Sequence, residues 1–125
     1  MKVIESPEAP EAIGPYSQAI RAHRMVFCSG QLGLNPETGQ LAGPDVATQT
    51  RQALSNLEAV LKKSGLTLEH VAKTTVYVAD MNDFPEINAI YAEAFGAHKP
   101  ARATIQVARL PLDGLVEIDA IAVGC

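Results

Sequence analysis

Two alternating runs near the end of the chain constrain the fold most: Pro100-Ala101-Arg102-Ala103-Thr104-Ile105-Gln106-Val107, and Leu115-Val116-Glu117-Ile118-Asp119-Ala120-Ile121-Ala122-Val123. Both have the period of a β-strand, and Pro111 with Asp113-Gly114 between them supplies turn chemistry, so the pair reads as an antiparallel hairpin. In that reading Ile105 and Val107 face the core with Val116, Ile118, Ala120 and Ala122. Arg102, Thr104 and Gln106 then share the other face with Glu117 and Asp119, putting a guanidinium and a carboxylate on one platform. Leu115, Ile121 and Val123 also fall on that second face, which makes it more apolar than a solvated sheet face. In a chain this short no helices remain to cover it, so a second copy of the protein is the expected cover.

The 125 residues suffice for one domain and one core. A formal net charge of −4 without a basic run leaves no electrostatic footprint for nucleic acid or an anionic membrane. With no membrane-length apolar run and an acidic N-terminal stretch, a cytosolic protein is expected. Cys28 and Cys125 are expected to stay unpaired, Cys28 as a small buried hydrophobe. His23, His70 and His98 show no metal-ligand spacing, so no metal is expected.

Read in order, residues 2–5 give an edge strand, Gly14-Pro15-Tyr16 a turn with a rigid exit, and residues 17–22 and 25–29 two further strands. Residues 30–36 read as a glycine-containing loop without the remaining elements of a phosphate cradle. A helix is predicted over 46–64, with Asp45 as N-cap, Gly65 just beyond its end and lysines in its last turn. Val46, Ala53, Leu54, Leu57, Val60 and Leu61 form its apolar stripe, with Arg51, Gln52, Asn56, Glu58 and Lys62 away from it. Residues 71–78 form a central strand with Ala72, Val76 and Val78 on the apolar face and Lys73, Thr75 and Tyr77 on the other. A second helix starts at a cap by Asn82 or Asp83, carries Pro85 in its first turn, and buries Phe84, Ile87, Ile90, Tyr91, Ala94 and Phe95. The sum is an α+β domain, a mixed sheet with two helices on one face.

Arg102, at the start of a strand, is either half of a structural ion pair with Glu117 or Asp119 or a clamp for a small carboxylate. A nearby Arg102 would keep Glu117 ionised, suiting it to act as general base or to hold a water. Tyr16 can close a pocket or merely pack, and Ser29-Gly30 offers a hydroxyl beside unhindered backbone. No Ser-His-Asp or Cys-His arrangement and no dinucleotide fingerprint is present, so no cofactor is expected.

Gly14-Pro15-Tyr16-Ser17-Gln18-Ala19, Cys28-Ser29-Gly30-Gln31, Lys73-Thr74-Thr75-Val76-Tyr77-Val78, Asn82-Asp83-Phe84 and Pro100-Ala101-Arg102 through Val107-Ala108-Arg109-Leu110-Pro111 to Val116-Glu117-Ile118 resemble the RidA (YjgF) family, over nearly the whole chain. The resemblance implies a chorismate-mutase-like (YjgF-like) fold, a homotrimer with sites in the clefts between subunits, and hydrolysis of 2-iminopropanoate and 2-iminobutanoate to 2-oxo acids and ammonia, protecting pyridoxal-phosphate enzymes. It implies that Arg102 binds the substrate carboxylate, that Glu117 positions or activates water, and that Tyr16, Ser29, Gly30, Thr104 and Asn88 line the site. Thr104 stands where many bacterial members have Cys, and the Gly96-Ala97-His98-Lys99 connection is shorter than in many members. The alternatives are a non-catalytic trimeric small-acid sensor or protein-binding module using the same cleft, RNA cleavage, and, by architecture alone, a chorismate mutase.

Overall fold

The computed structural model describes residues 1–124; the expectation for Cys125 lies outside the described residues. One mixed sheet of six strands carries two helices, as expected for an α+β fold. The strands are β1 (Lys2–Ile4), β2 (Ala19–Ala22), β3 (Met25–Leu32), β4 (Val71–Val78), β5 (Ala101–Gln106) and β6 (Val116–Val123), in the spatial order β1-β2-β3-β6-β4-β5. Helix α1 (Val46–Lys63) packs against β3, β6 and the second helix, α2 (Phe84–Phe95).

Helix α1 follows its sequence signals closely. The Asp45 carboxylate accepts a 2.9 Å hydrogen bond from the Thr48 amide, which holds its pKa below the usual aspartate range. At the other end Gly65 sits at φ 79°, and the amides of Gly65 and Leu66 return to the carbonyls of Lys62 and Leu61. The expected stripe is buried throughout, but Asn56 is buried with it rather than turned away. Its amide group donates to the carbonyls of Leu32 and Leu34, so the polar side chain anchors the end of β3 to the helix. Gln49, also buried, spans two loops by donating to the Gly43 carbonyl and accepting from the Leu115 amide.

Four further expectations are corrected. β3 runs through Gly30 to Leu32, with a bulge between Cys28 and Gln31, where a loop was expected from Gly30. On β4 a register irregularity between Val71 and Lys73 leaves Ala72 exposed, and Thr74 takes the core position beside Val76 and Val78. Asp83 precedes α2 without making a side-chain cap; Asp80 instead caps the short 3-10 turn Met81–Asp83 leading into the helix. Of the expected buried side of α2, Ala94 is exposed and Phe84 half-buried.

The largest correction concerns the proposed hairpin. β5 and β6 are not neighbours: β4 lies between them, parallel to β5 and antiparallel to β6. β4, α2 and β5 form a strand–helix–strand crossover, which parallel pairing requires, and the 3-10 turn Pro111–Asp113 carries the chain past β4 to β6. The register reverses the expected faces of β5: Arg102 lies beside Thr74 and Thr104 beside Val76, on the helix side, while Ile105 lies beside Tyr77 on the open side. On β6 the predicted faces hold, with Val116, Ile118, Ala120 and Ala122 buried.

The open face is apolar as expected, but through Val123 with Met25, Phe27 and Ile105, whereas Leu115 packs half-buried against the core and Ile121 is half-buried. Met25, Phe27, Ile105 and Val123 are 38% to 46% exposed, against at most 2% for the four core residues of β6. Among the described residues no helix is long and apolar enough to cross a membrane. Cys28 is buried as expected, and burial, helped by the charge of Asp119, pushes its thiol up to about 12.

The segment before β2 is held by one side chain. Buried Gln18 accepts from the Ser6 amide and donates to the carbonyls of Ser6, Ala9 and Pro10. Gln18→Leu leaves the Ser6 amide and the carbonyls of Ala9 and Pro10 without this partner, so it is expected to destabilise the protein by about 2 kcal/mol. Proteolysis within residues 6–16 should accelerate by more than cleavage elsewhere.

Candidate functional site

Arg102 and Glu117 lie on opposite faces of the sheet. Their register partners on β4 are Thr74 and Tyr77, three residues apart, and an odd separation along a strand reverses the side-chain direction. They also sit two interstrand spacings apart, roughly 10 Å across the sheet. The shared platform expected from the sequence therefore does not exist within one chain. Each residue instead belongs to a separate cluster.

The first cluster surrounds Arg102. Its guanidinium donates a 2.8 Å hydrogen bond to Asn88 Oδ1 and lies 4.8 Å from the ring centroid of Tyr91 and 5.3 Å from that of Phe84. Phe84, Asn88 and Tyr91 follow the i, i+4, i+7 spacing of one helix face. Among the described residues the only ion pair is Arg109–Asp113, so Arg102 pairs with no carboxylate among them and the structural ion pair with Glu117 or Asp119 considered above is absent. An adjoining cleft of about 410 Å³ is bordered by Asn88, Tyr91, Phe95, Lys99 and Arg102. His98, in the connection before β5, pairs through Nε2 with the Val71 carbonyl at 2.7 Å.

The second cluster surrounds Glu117. A cleft of about 590 Å³ brings it together with Tyr16, Ser29 and Gly30, and Ile13 and Leu112 add apolar surface. Gly30, in the β3 bulge, is packed so closely on the acid that a Cβ there would fall 2.7 Å from Glu117 Cδ. Ser29 is held by its hydroxyl, which donates to the Ser17 carbonyl at 2.6 Å, and by its amide, which donates to the Gln18 carbonyl. Gly14 at φ 124° turns the chain so that the Tyr16 amide meets the Gly14 carbonyl, and the Tyr16 side chain is left exposed at the cleft.

Glu117 departs from the expected electrostatics. Half-burial, then the neighbouring charge of Asp119, raises its carboxyl above the usual glutamate range; no arginine holds it down. Asp119 is itself committed, accepting from Tyr77 Oη at 3.0 Å and from the Thr75 amide. Thr104 faces the helix side of β5, apart from the Glu117 cluster. Sequence reading did not single out Phe84 and Tyr91 as neighbours of Arg102; the i, i+4, i+7 spacing with Asn88 was the available signal. No group of three or more His, Cys, Asp or Glu side chains among the described residues could hold a metal ion.

Residues 6–124 match the family profile described as Endoribonuclease L-PSP. A RutC family protein of Pyrococcus horikoshii is 50% identical over 121 residues, spanning 97% of this chain and 96% of that one. The 2-iminobutanoate/2-iminopropanoate deaminase of Mus musculus is 52% identical over 122 residues, covering 98% of this chain and 90% of its own. Among solved structures, that of E. coli TdcF with bound serine superimposes with a TM-score of 0.95 at 44% identity, covering the whole of both chains. These matches agree with the motifs in the sequence and with the six-stranded sheet and its two helices. The chain belongs to the Endoribonuclease L-PSP family, the family of the RidA (YjgF) proteins.

Proposed function

We propose that this chain, as one RidA-like domain per subunit of a homotrimer, hydrolyses small 2-imino acids such as 2-iminopropanoate and 2-iminobutanoate to 2-oxo acids and ammonia. The likeness to the mouse deaminase over nearly the full length supports the reaction. The observation that carries the site is the separation of a carboxylate-ready cation from a half-buried acid on opposite faces of one sheet. Packing the apolar open face of one subunit against a neighbour offers a way for Arg102 of one chain to meet Glu117, Tyr16, Ser29 and Gly30 of another.

In this reading Arg102, helped by Asn88, grips the substrate carboxylate, with Thr104 beside it on β5. A water held by ionised Glu117 adds to C2: a C–O bond forms, the C=N π electrons move to nitrogen, and the water's proton passes to the acid. The acid returns that proton to nitrogen to give the aminol. The aminol's hydroxyl proton then passes by way of the acid to nitrogen, and an oxygen electron pair forms the C=O bond as the C–N bond breaks and ammonia leaves. The raised Glu117 carboxyl suits it to take up that proton near neutral pH. Orientation and charge placement supply the acceleration, without a cofactor. Cytoplasmic location completes the reading.

The test is 2-oxo acid and ammonia release from an imine generated in situ by an amino-acid dehydratase. Acceleration above the spontaneous rate is expected, together with a trimeric mass by sedimentation. Binding of 2-oxobutanoate without acceleration would instead favour the sensor alternative. The family description also names RNA cleavage, but a net charge of −4 without a basic run gives a polyanion no foothold, and we do not propose it.

Gly30→Ala separates acid placement from folding. Its Cβ would collide with the movable end of Glu117 rather than with backbone, so the protein should fold with nearly its original Tm while the carboxylate is displaced. The expected result is a fall in kcat of about 10- to 100-fold.

A further inference from the structure

Arg102 begins an exposed edge strand, where a long cationic side chain ordinarily samples many rotamers. Here it has a fixed bed. The Tyr91 ring lies 4.8 Å from its guanidinium carbon, the Phe84 ring 5.3 Å away, and Asn88 takes one of its five N–H donors. The remaining donors are left for an anion.

The bed is itself anchored from below. Tyr91 is buried and its hydroxyl pairs with Thr74 Oγ1 at 2.7 Å, while its ring stacks on Phe95 with centroids 4.5 Å apart. Thr74 is fully buried on the core face of β4, where a β-branched apolar residue would pack without needing a partner. It is also the register neighbour of Arg102 itself. One residue of β4 thus fixes, at its sides, both the strand position that bears the arginine and the ring on which the arginine rests.

We infer that Tyr91 is a positioning residue for substrate binding, its ring locked by Thr74 and holding the Arg102 guanidinium in the orientation that receives the carboxylate of a 2-imino acid. The inference rests on the function proposed above and deepens it. Tyr91 acts through Arg102, so its removal should weaken carboxylate binding while leaving the step at Glu117 nearly unchanged. Tyr91→Leu removes the ring; Tyr91→Phe keeps the ring and releases only the hydroxyl.

The experiment measures KM and kcat for in-situ 2-iminobutanoate and, independently of turnover, the Kd of 2-oxobutanoate by calorimetry, with Arg102→Ala as reference. Tyr91→Leu should raise KM and Kd about fivefold, the scale of a cation–π contact at an accessible site, with kcat within about twofold. Tyr91→Phe, which keeps the ring under the guanidinium but loses its tie to Thr74, should raise both constants about twofold, less than Tyr91→Leu does. If Tyr91→Leu destabilises the fold too far to purify, Phe84→Leu tests the other side of the bed, with a smaller rise in KM and Kd expected. Unchanged KM and Kd in Tyr91→Leu, or in Phe84→Leu where that variant stands in, with Arg102→Ala severely impaired, would overturn the positioning role alone. Unchanged binding and acceleration in Arg102→Ala would overturn the functional reading beneath it.

Discussion

Arg102→Ala is expected to lower kcat/KM for 2-iminobutanoate about 100-fold, while the proposed assembly and its Tm stay close to those of the original protein. The magnitude follows from losing a charge-assisted, two-pronged contact to a carboxylate, about 2–3 kcal/mol. Little stability should be lost because the side chain is exposed and, among the described residues, makes no ion pair and one hydrogen bond, to Asn88, besides its contacts with the Tyr91 and Phe84 rings. Arg102→Lys should recover only part of the loss, since a point charge cannot reproduce a planar fork. The spacing of the two clusters adds a sharper form of the experiment. Subunits carrying Arg102→Ala and subunits carrying Glu117→Gln, each nearly inactive alone, should regain activity when co-assembled, because some interfaces then join an intact arginine to an intact acid. Co-assembled chains that stay inactive would mean that the two residues do not share a site.

Glu117→Gln is expected to lower kcat about 100-fold with KM nearly unchanged, since the amide can still hold a water but cannot take its proton. The pH profile provides the check on cause. The acid must be ionised to act, and its carboxyl is raised by burial and by Asp119, so kcat/KM should fall on acidification at a pH above that of an ordinary glutamate. The same shift has a stability consequence of opposite direction. A raised pKa means the folded state binds the proton more tightly than the unfolded one, so stability declines as pH rises from the unfolded value through the folded one. Glu117→Gln should therefore raise Tm at neutral pH, and the gain should vanish below the usual glutamate range. A variant with equal gain at both pH values would point to packing instead of charge.

The helices were legible because their signals are local. Asp45, the apolar stripe and Gly65 delimit α1 without reference to anything distant. The burial of Asn56 was not legible, because its reason is the carbonyls of Leu32 and Leu34 more than twenty residues away. The strand pairing failed for a related cause. Pro111 and Asp113-Gly114 carry turn chemistry that serves a crossing past β4 as well as it serves a hairpin, and only the β4–α2–β5 sequence of elements carried the topology. Ile105 and Val107 looked like core residues, yet an edge strand beside an apolar open face can expose Ile105 there, while Arg102 and Thr104 point to the helices. Motif resemblance supplied the candidate site residues, and the sheet then divided them: Arg102 with Asn88, Glu117 with Tyr16, Ser29 and Gly30.

Imines are electrophiles, and a protein that handles them risks being alkylated by its own cargo. Cys28, the one thiol among the described residues, lies beneath the helices with its proton held until about pH 12. The thiolate that would trap an imine carbon is thus withheld throughout the range in which the enzyme would turn over. In the function proposed above, the chain would meet a reactive molecule with this sulfur kept out of the encounter.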